Sequence, residues 1–172
     1  MKTSTASILA GSAAALTLAV AVATVAVATQ SAPPTAAVNF PTGYRDWKHV
    51  KSMVIQTGHP LYGSFGGIHH LYANRLAVKG YAAGRFPDGA VIVFDLLDVD
   101  PAGNAISEGA RKIVGVMAKD SKRFATTGGW GFEGFAGGDP KVRAVGDQAA
   151  TACFGCHEAQ RDHDYVFSAL RP

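Results

Sequence analysis

Five consecutive residues near the C-terminal end, Cys153-Phe154-Gly155-Cys156-His157, have the types and spacing of a chemical site. Two thiols three residues apart lie on one face of a helical turn, and an imidazole follows the second directly. A bare pair of this kind is a disulfide, a redox couple or half of a zinc site. The usual zinc site needs a second Cys/His pair at set spacing, and the chain has only these two cysteines. A thioredoxin-like pair follows an early strand in a βαβ unit, whereas this one comes late. C-x-x-C with His next is the attachment signature of c-type haem. The two sulfurs reach the vinyl groups on one porphyrin edge as thioethers, and the next imidazole projects beneath the iron. On this reading Cys153 and Cys156 hold one covalent haem c, and His157 is its metal ligand.

A second axial ligand would come from His49, His59, His69, His70, His163, Met53 or Met117. A sixth ligand makes an electron-transfer haem, and an open sixth position makes a gas-binding or catalytic one. Neighbours on a strand face opposite sides, so at most one of His69 and His70 points at the haem. The two are read as a surface or cross-strand pair. His163, six residues past His157, belongs on another face of the same helix.

The elements that position these groups form an α+β pattern, an antiparallel sheet with a few helices. Glycines cluster as turn signals at Gly63, Gly66-Gly67, Gly128-Gly129 and Gly137-Gly138. His49 to Gln56 reads as a strand or a short helix, and Ile68 to Ala73 as a strand. Asn74 is placed to N-cap a helix from Arg75 to Ala83 that ends at Gly84. Phe86-Pro87-Asp88-Gly89 has turn chemistry. The Val- and Ile-rich stretch Ala90 to Leu97 is the clearest strand, followed by Lys112 to Ala118 and by Phe124 to Phe135, where aromatics alternate with glycines. Asp147 to Leu170 has helical spacing and few breakers, so the haem-binding motif falls on a C-terminal helix.

The N-terminal part has a different character. Lys2 precedes an Ala/Val/Leu-rich run from Ala6 to Ala28, and Ala26-Val27-Ala28 fits a small-residue cleavage site. Residues 1–28 therefore read as a signal peptide, with an uncleaved membrane anchor as the alternative, since roughly 20 apolar residues also span a bilayer. Either places the remainder outside the cytoplasm, in the periplasm, where haem of this type is attached. Residues 29–40 read as an extended linker and 41–172 as the functional domain. The chain has 172 residues, 48% hydrophobic and 17% charged, which is globular composition. A formal net charge of +3, without a Lys/Arg run interleaved with aromatics, gives no footprint for nucleic acid.

Several segments together resemble the cytochrome P-460 family. They are Tyr72-Ala73-Asn74, Phe86-Pro87-Asp88-Gly89-Ala90-Val91-Ile92-Val93, Gly129-Trp130-Gly131-Phe132-Glu133, and the C-x-x-C-H motif followed by Asp164-Tyr165-Val166-Phe167-Ser168. The resemblance runs from about Tyr44 to Leu170. It implies an antiparallel β-sheet fold, a homodimer, and a five-coordinate haem c with His157 as proximal ligand. Two functional types follow from it. Cytochromes P-460 proper carry a Lys bonded to the haem edge and oxidise hydroxylamine. The cytochrome c′-beta branch lacks that Lys, caps the distal side with Phe and binds NO and CO. The resemblance places the cross-linking Lys at Phe94 and a second distal Phe at Phe65, so this sequence sits closest to the c′-beta branch. Lys79 is the nearest rival for a cross-link and otherwise reads as a solvated helix residue.

Phe65 and Phe94 would make an apolar pocket that gives bound O₂ no hydrogen-bond donor and gives hydroxylamine no base. Glu133 reads as a partner for Arg or Lys, with a proton-acceptor role as the alternative. Trp130 and Phe132 read as core packing. One of Arg45, Arg75 and Arg143 is expected on a haem propionate. The first expectation is thus a gas-binding mono-haem cytochrome. Hydroxylamine oxidation with electron delivery to a redox partner is the second, and simple electron transfer is the third.

Overall fold

The computed structural model describes residues 37–171. The proposed signal peptide and residues 29–36 of the proposed linker lie outside the described residues. Five strands form one antiparallel sheet in sequence order: β1 Lys48–Ile55, β2 Gly67–Ala73, β3 Val91–Ala102, β4 Ala105–Lys119 and β5 Trp130–Ala136. Each strand pairs with the next, so the sheet is a simple meander without crossovers. Two helices interrupt the meander, α1 Tyr62–Phe65 and α2 Arg75–Ala83. Among the described residues no helix is long and apolar enough to cross a membrane.

The sheet has two covered faces. Ile92, Met117 and Phe132 are paired across β3, β4 and β5 on one of them, and Phe94, Gly115 and Gly134 form the next row. Helix α2 and the C-terminal chain cover part of this face, burying Val50, Phe86, Trp130, Phe132, Ala149 and Val166 together. On the opposite face Val38, Tyr44, Val93, Val114, Val116, Phe124 and Phe135 form a second cluster. Residues 38 and 40, within the stretch read as linker, pack here, with the Phe40 ring edge-on to Phe135 at 5.1 Å. The apolar run of β3 follows from this double cover, since Val93 and Leu96 are both inaccessible to solvent.

Local chemistry accounts for most element ends. The Asn74 side chain accepts from Ala77 N at 2.8 Å, and Gly84 closes α2 in the left-handed conformation at φ 70°. Strands β3 and β4 run well past the sheet as a two-stranded arm, turned by Gly103 and Asn104, both with positive φ. The strand read from Phe124 begins only at Trp130. Residues 120–129 are instead a turn and a 3-10 segment, Ala125–Thr127, that ends on Gly128 and Gly129.

The C-terminal helix is shorter and less regular than its spacing predicts. It comprises Gly146–Gln148, a π turn Ala150–Phe154, an α turn Gly155–His157 and a 3-10 stretch Glu158–His163. It stops there because Asp164 and Tyr165 both take positive φ, 52° and 66°. The chain then continues without regular secondary structure to Arg171.

Candidate functional site

The two thiols fall where the π turn passes into the α turn. Cys153 is half-buried against the apolar cluster, Cys156 is exposed, and they are not bonded to each other. Burial first, then the charge of Glu133 and the neighbouring Cys156, pushes the Cys153 thiol up to about 11. Such a thiol yields little thiolate at neutral pH, which is the form a redox nucleophile or a zinc site requires.

His157 is held from two sides. Its ring lies 4.9 Å from Phe132 and 5.1 Å, edge-on, from Phe167. Its Nδ1 is 2.7 Å from the Tyr165 carbonyl oxygen. A carbonyl only accepts, so Nδ1 carries the proton and Nε2 keeps its lone pair. Burial lowers the His157 pKa against the opposing pull of that hydrogen bond. The result is a neutral, oriented imidazole whose outer nitrogen is a metal donor, with the inner nitrogen fixed as metal-bound histidines usually are.

The carbonyl that does this is itself pinned by Asp164, which the sequence reading places in the C-terminal motif without giving it a role. Asp164 Oδ1 takes Lys119 Nζ at 2.7 Å, and Oδ2 takes Phe86 N at 2.8 Å. Its carbonyl accepts from Trp130 Nε1 at 2.8 Å. Lys119 sits over the Trp130 ring, 5.0 Å from its centre, and also donates to Gly128 O. Both members of the ion pair are 9% exposed. Trp130 is thus a core residue, as read, but its indole N–H also anchors the loop that orients His157.

On the same sheet face Phe94 meets Phe65 edge-on, with ring centres 6.1 Å apart. Phe65 ends α1, at the rim, and Phe94 is half-buried on β3. The Phe94 ring lies over Gly115 of β4, where an added Cβ would run into it. A glycine inside a strand pattern is the signal that could have marked this position, because it indicates a close approach.

His69 is the main departure from the sequence reading. It is 4% exposed rather than a surface residue, and its ring is 5.9 Å from Phe94. Its Nε2 donates to the Phe65 carbonyl at 2.6 Å, tying the end of α1 to β2. His70 faces the other way, as strand alternation requires. Of the other candidate ligands, His59 and His163 are exposed and make local hydrogen bonds. Met53 is 40% exposed on the edge strand, and Met117 packs in the apolar cluster.

Of the charged candidates, Glu133, Arg45 and Arg143 are engaged in ion pairs. Glu133 lies on the face opposite Phe132. Burial raises its pKa, but amide bonds from Gly134, Val145 and Gly146 and the Arg143 guanidinium outweigh this and hold it below the usual range. An anion so well satisfied is a poor proton acceptor. Arg45 pairs with Asp95 at 3.1 Å and Arg143 with Glu133 at 2.9 Å, while Arg75 is exposed on α2. Lys79 is likewise exposed on α2, whose buried side is Ala77 and Gly80.

The placements of His157, the two thiols and the aromatic walls on one sheet face suit a flat, apolar, metal-bearing group. A family model described as Cytochrome P460 matches residues 41–168. The chain belongs to the cytochrome P460 family. No curated protein matches the chain. Membership of the cytochrome P460 family makes this a haem protein, and the donor set fits that group. The family spans the sheet, α2 and the C-terminal motif alike, so the match covers every element that shapes the site.

Proposed function

We propose that this cytochrome P460 family member carries one covalent haem c and binds small neutral diatomics such as NO and CO. Cys153 and Cys156 would hold the haem, His157 Nε2 would be its only protein ligand, and Phe65 and Phe94 would wall the open side. Bound there, the haem would supply an iron able to take a small diatomic ligand. The chain's own residues do the rest. The Tyr165 carbonyl orients His157, Phe94 and Phe65 exclude water and anions, and His69 holds the Phe65 loop in place.

The observation that carries the gas-binding reading is the Phe94 ring seated over Gly115. The resemblance puts the cross-linking amine of the hydroxylamine-oxidising type at this position, and an aromatic wall stands there instead. Phe94→Ala removes the wall. It is expected to change CO or NO affinity about tenfold, equivalent to about 1.4 kcal/mol, as measured by equilibrium titration of the ferrous protein. Unchanged affinity would count against Phe94 as part of the pocket.

One contact favours a second reading. Lys112 Nζ donates to the Gly66 carbonyl at 2.9 Å, next to Phe65, so an amine does stand at the rim of this loop. A haem cross-linked through Lys112 would suit hydroxylamine oxidation and delivery of electrons to a redox partner. Lys112 is better placed for this than Lys79, which lies on the solvent side of its helix. The electron-transfer reading would require His69 to give up the Phe65 carbonyl and turn to the iron. Export to the periplasm, supported by the Lys2 to Ala28 pattern, and a homodimer complete the proposal.

A further inference from the structure

On the sheet face opposite His157, three polar side chains from two strands converge on one point. His49 Nε2 lies 3.0 Å from Ser52 Oγ, and His70 Nδ1 lies 2.7 Å from the same oxygen. The convergence depends on a backbone irregularity. His49 pairs with Tyr72 and Lys51 with Leu71, which leaves Val50 as an extra residue in β1. Strict alternation would point His49 and Ser52 to opposite sides. The bulge brings both to the side of His70, and re-aiming a side chain is what bulges commonly do beside functional sites.

We propose that His49 and His70 form a second metal site, independent of the haem, for a borderline divalent cation such as Zn²⁺, Cu²⁺ or Ni²⁺. Imidazole nitrogen is the donor these ions select. The two rings are 6.0 Å apart between centres and inclined at 53°. A cation bound at about 2.0–2.1 Å from each nitrogen takes the place now bridged by the Ser52 hydroxyl.

The far side of His70 supports the assignment. Its Nε2 is 2.7 Å from Glu108 Oε1, on the arm of β4. That nitrogen is buried and has no hydrogen-bond partner among the described residues, so Glu108 acts through its negative charge. A carboxylate behind a ligand imidazole favours a cation on the ring's other nitrogen by its charge. Burial, with Arg171, His70 and Lys48 nearby, lowers the His49 pKa, which favours its neutral, metal-binding form. Arg171 and Lys48 also oppose a bound metal, and Glu108 supplies the compensating charge.

Among the described residues no three His, Cys, Asp or Glu side chains gather as a metal cluster. Water therefore fills the remaining positions, and the expected Kd is on the order of micromolar. The test uses the haem-loaded full chain, titrated with Zn²⁺ against a chromophoric chelator, and with Cu²⁺ read by electron paramagnetic resonance. One equivalent should bind, with hyperfine splitting from two nitrogens. His49→Ala and His70→Ala should each weaken binding at least tenfold, and Glu108→Gln about tenfold, while His163→Ala leaves it unchanged. These positions lie at or near the surface, and circular dichroism checks that each variant is folded. Failure to bind an equivalent, or binding indifferent to His49→Ala and His70→Ala, would overturn the site. Either result leaves the haem proposal untouched, because none of these residues contacts its pocket.

Discussion

Replacing Cys153 and Cys156 together by alanine should release the haem into acidified organic solvent, where the native chain keeps it. The effect is all or none, because a thioether survives conditions that strip a coordinated haem. The structure offers these sulfurs little other work. They are not joined to each other. Cys153 has its thiol pushed up to about 11 by burial, with Glu133 and Cys156 adding to the effect, so little of it is thiolate at neutral pH. The exposed Cys156 precedes a neutral, oriented imidazole. Mass spectrometry of the proteolytic peptide spanning both cysteines should show the added mass of one haem. Native protein that loses its haem to solvent would mean that His157 and the apolar walls hold it alone.

The second large effect is expected at Asp164. Asp164→Ala should cost about 3 kcal/mol or more, since it leaves Lys119 buried without its counter-charge. Equilibrium urea unfolding, with the slope checked for two-state behaviour, measures it. Lys119 is 9% exposed and keeps only the Gly128 carbonyl and the Trp130 ring. The same substitution frees Phe86 N and loosens the left-handed pair at Asp164 and Tyr165. The Tyr165 carbonyl then no longer fixes His157, so the iron–imidazole stretch in the ferrous resonance Raman spectrum should shift. A Lys119→Met/Asp164→Asn double variant removes both charges and should recover part of the stability. A loss under about 1 kcal/mol would mean that the ion pair is not what holds this loop.

The residues whose chemistry is local were the ones legible from sequence. Asn74 and Gly84 mark both ends of α2 by themselves, and β3 declares itself by its Val/Ile run. The cysteines and His157 fall on a helical turn as their spacing requires. What was not legible depends on partners distant in sequence. Nothing near Asp164 announces a helix stop. A non-glycine pair adopts positive φ there only because Lys119, Phe86 and Trp130 hold Asp164. His69 read as a surface residue because its partner is a backbone carbonyl, which has no sequence signature. Phe124 looked like the start of a strand, yet its ring fills the space over Gly131 while the backbone turns. The extra length of β4 was available in the Gly103-Asn104 pair, a two-residue hairpin signal.

The ferrous optical spectrum of the haem-loaded protein, before and after CO, tests the central claim most directly. An open, five-coordinate haem without a lysine link should give an ordinary high-spin Soret band that shifts when CO is added. A low-spin ferrous spectrum without added ligand would contradict the claim and point to His69 on the iron. A strongly red-shifted ferrous Soret band would contradict it too, placing Lys112 on the haem edge and hydroxylamine oxidation in place of gas binding.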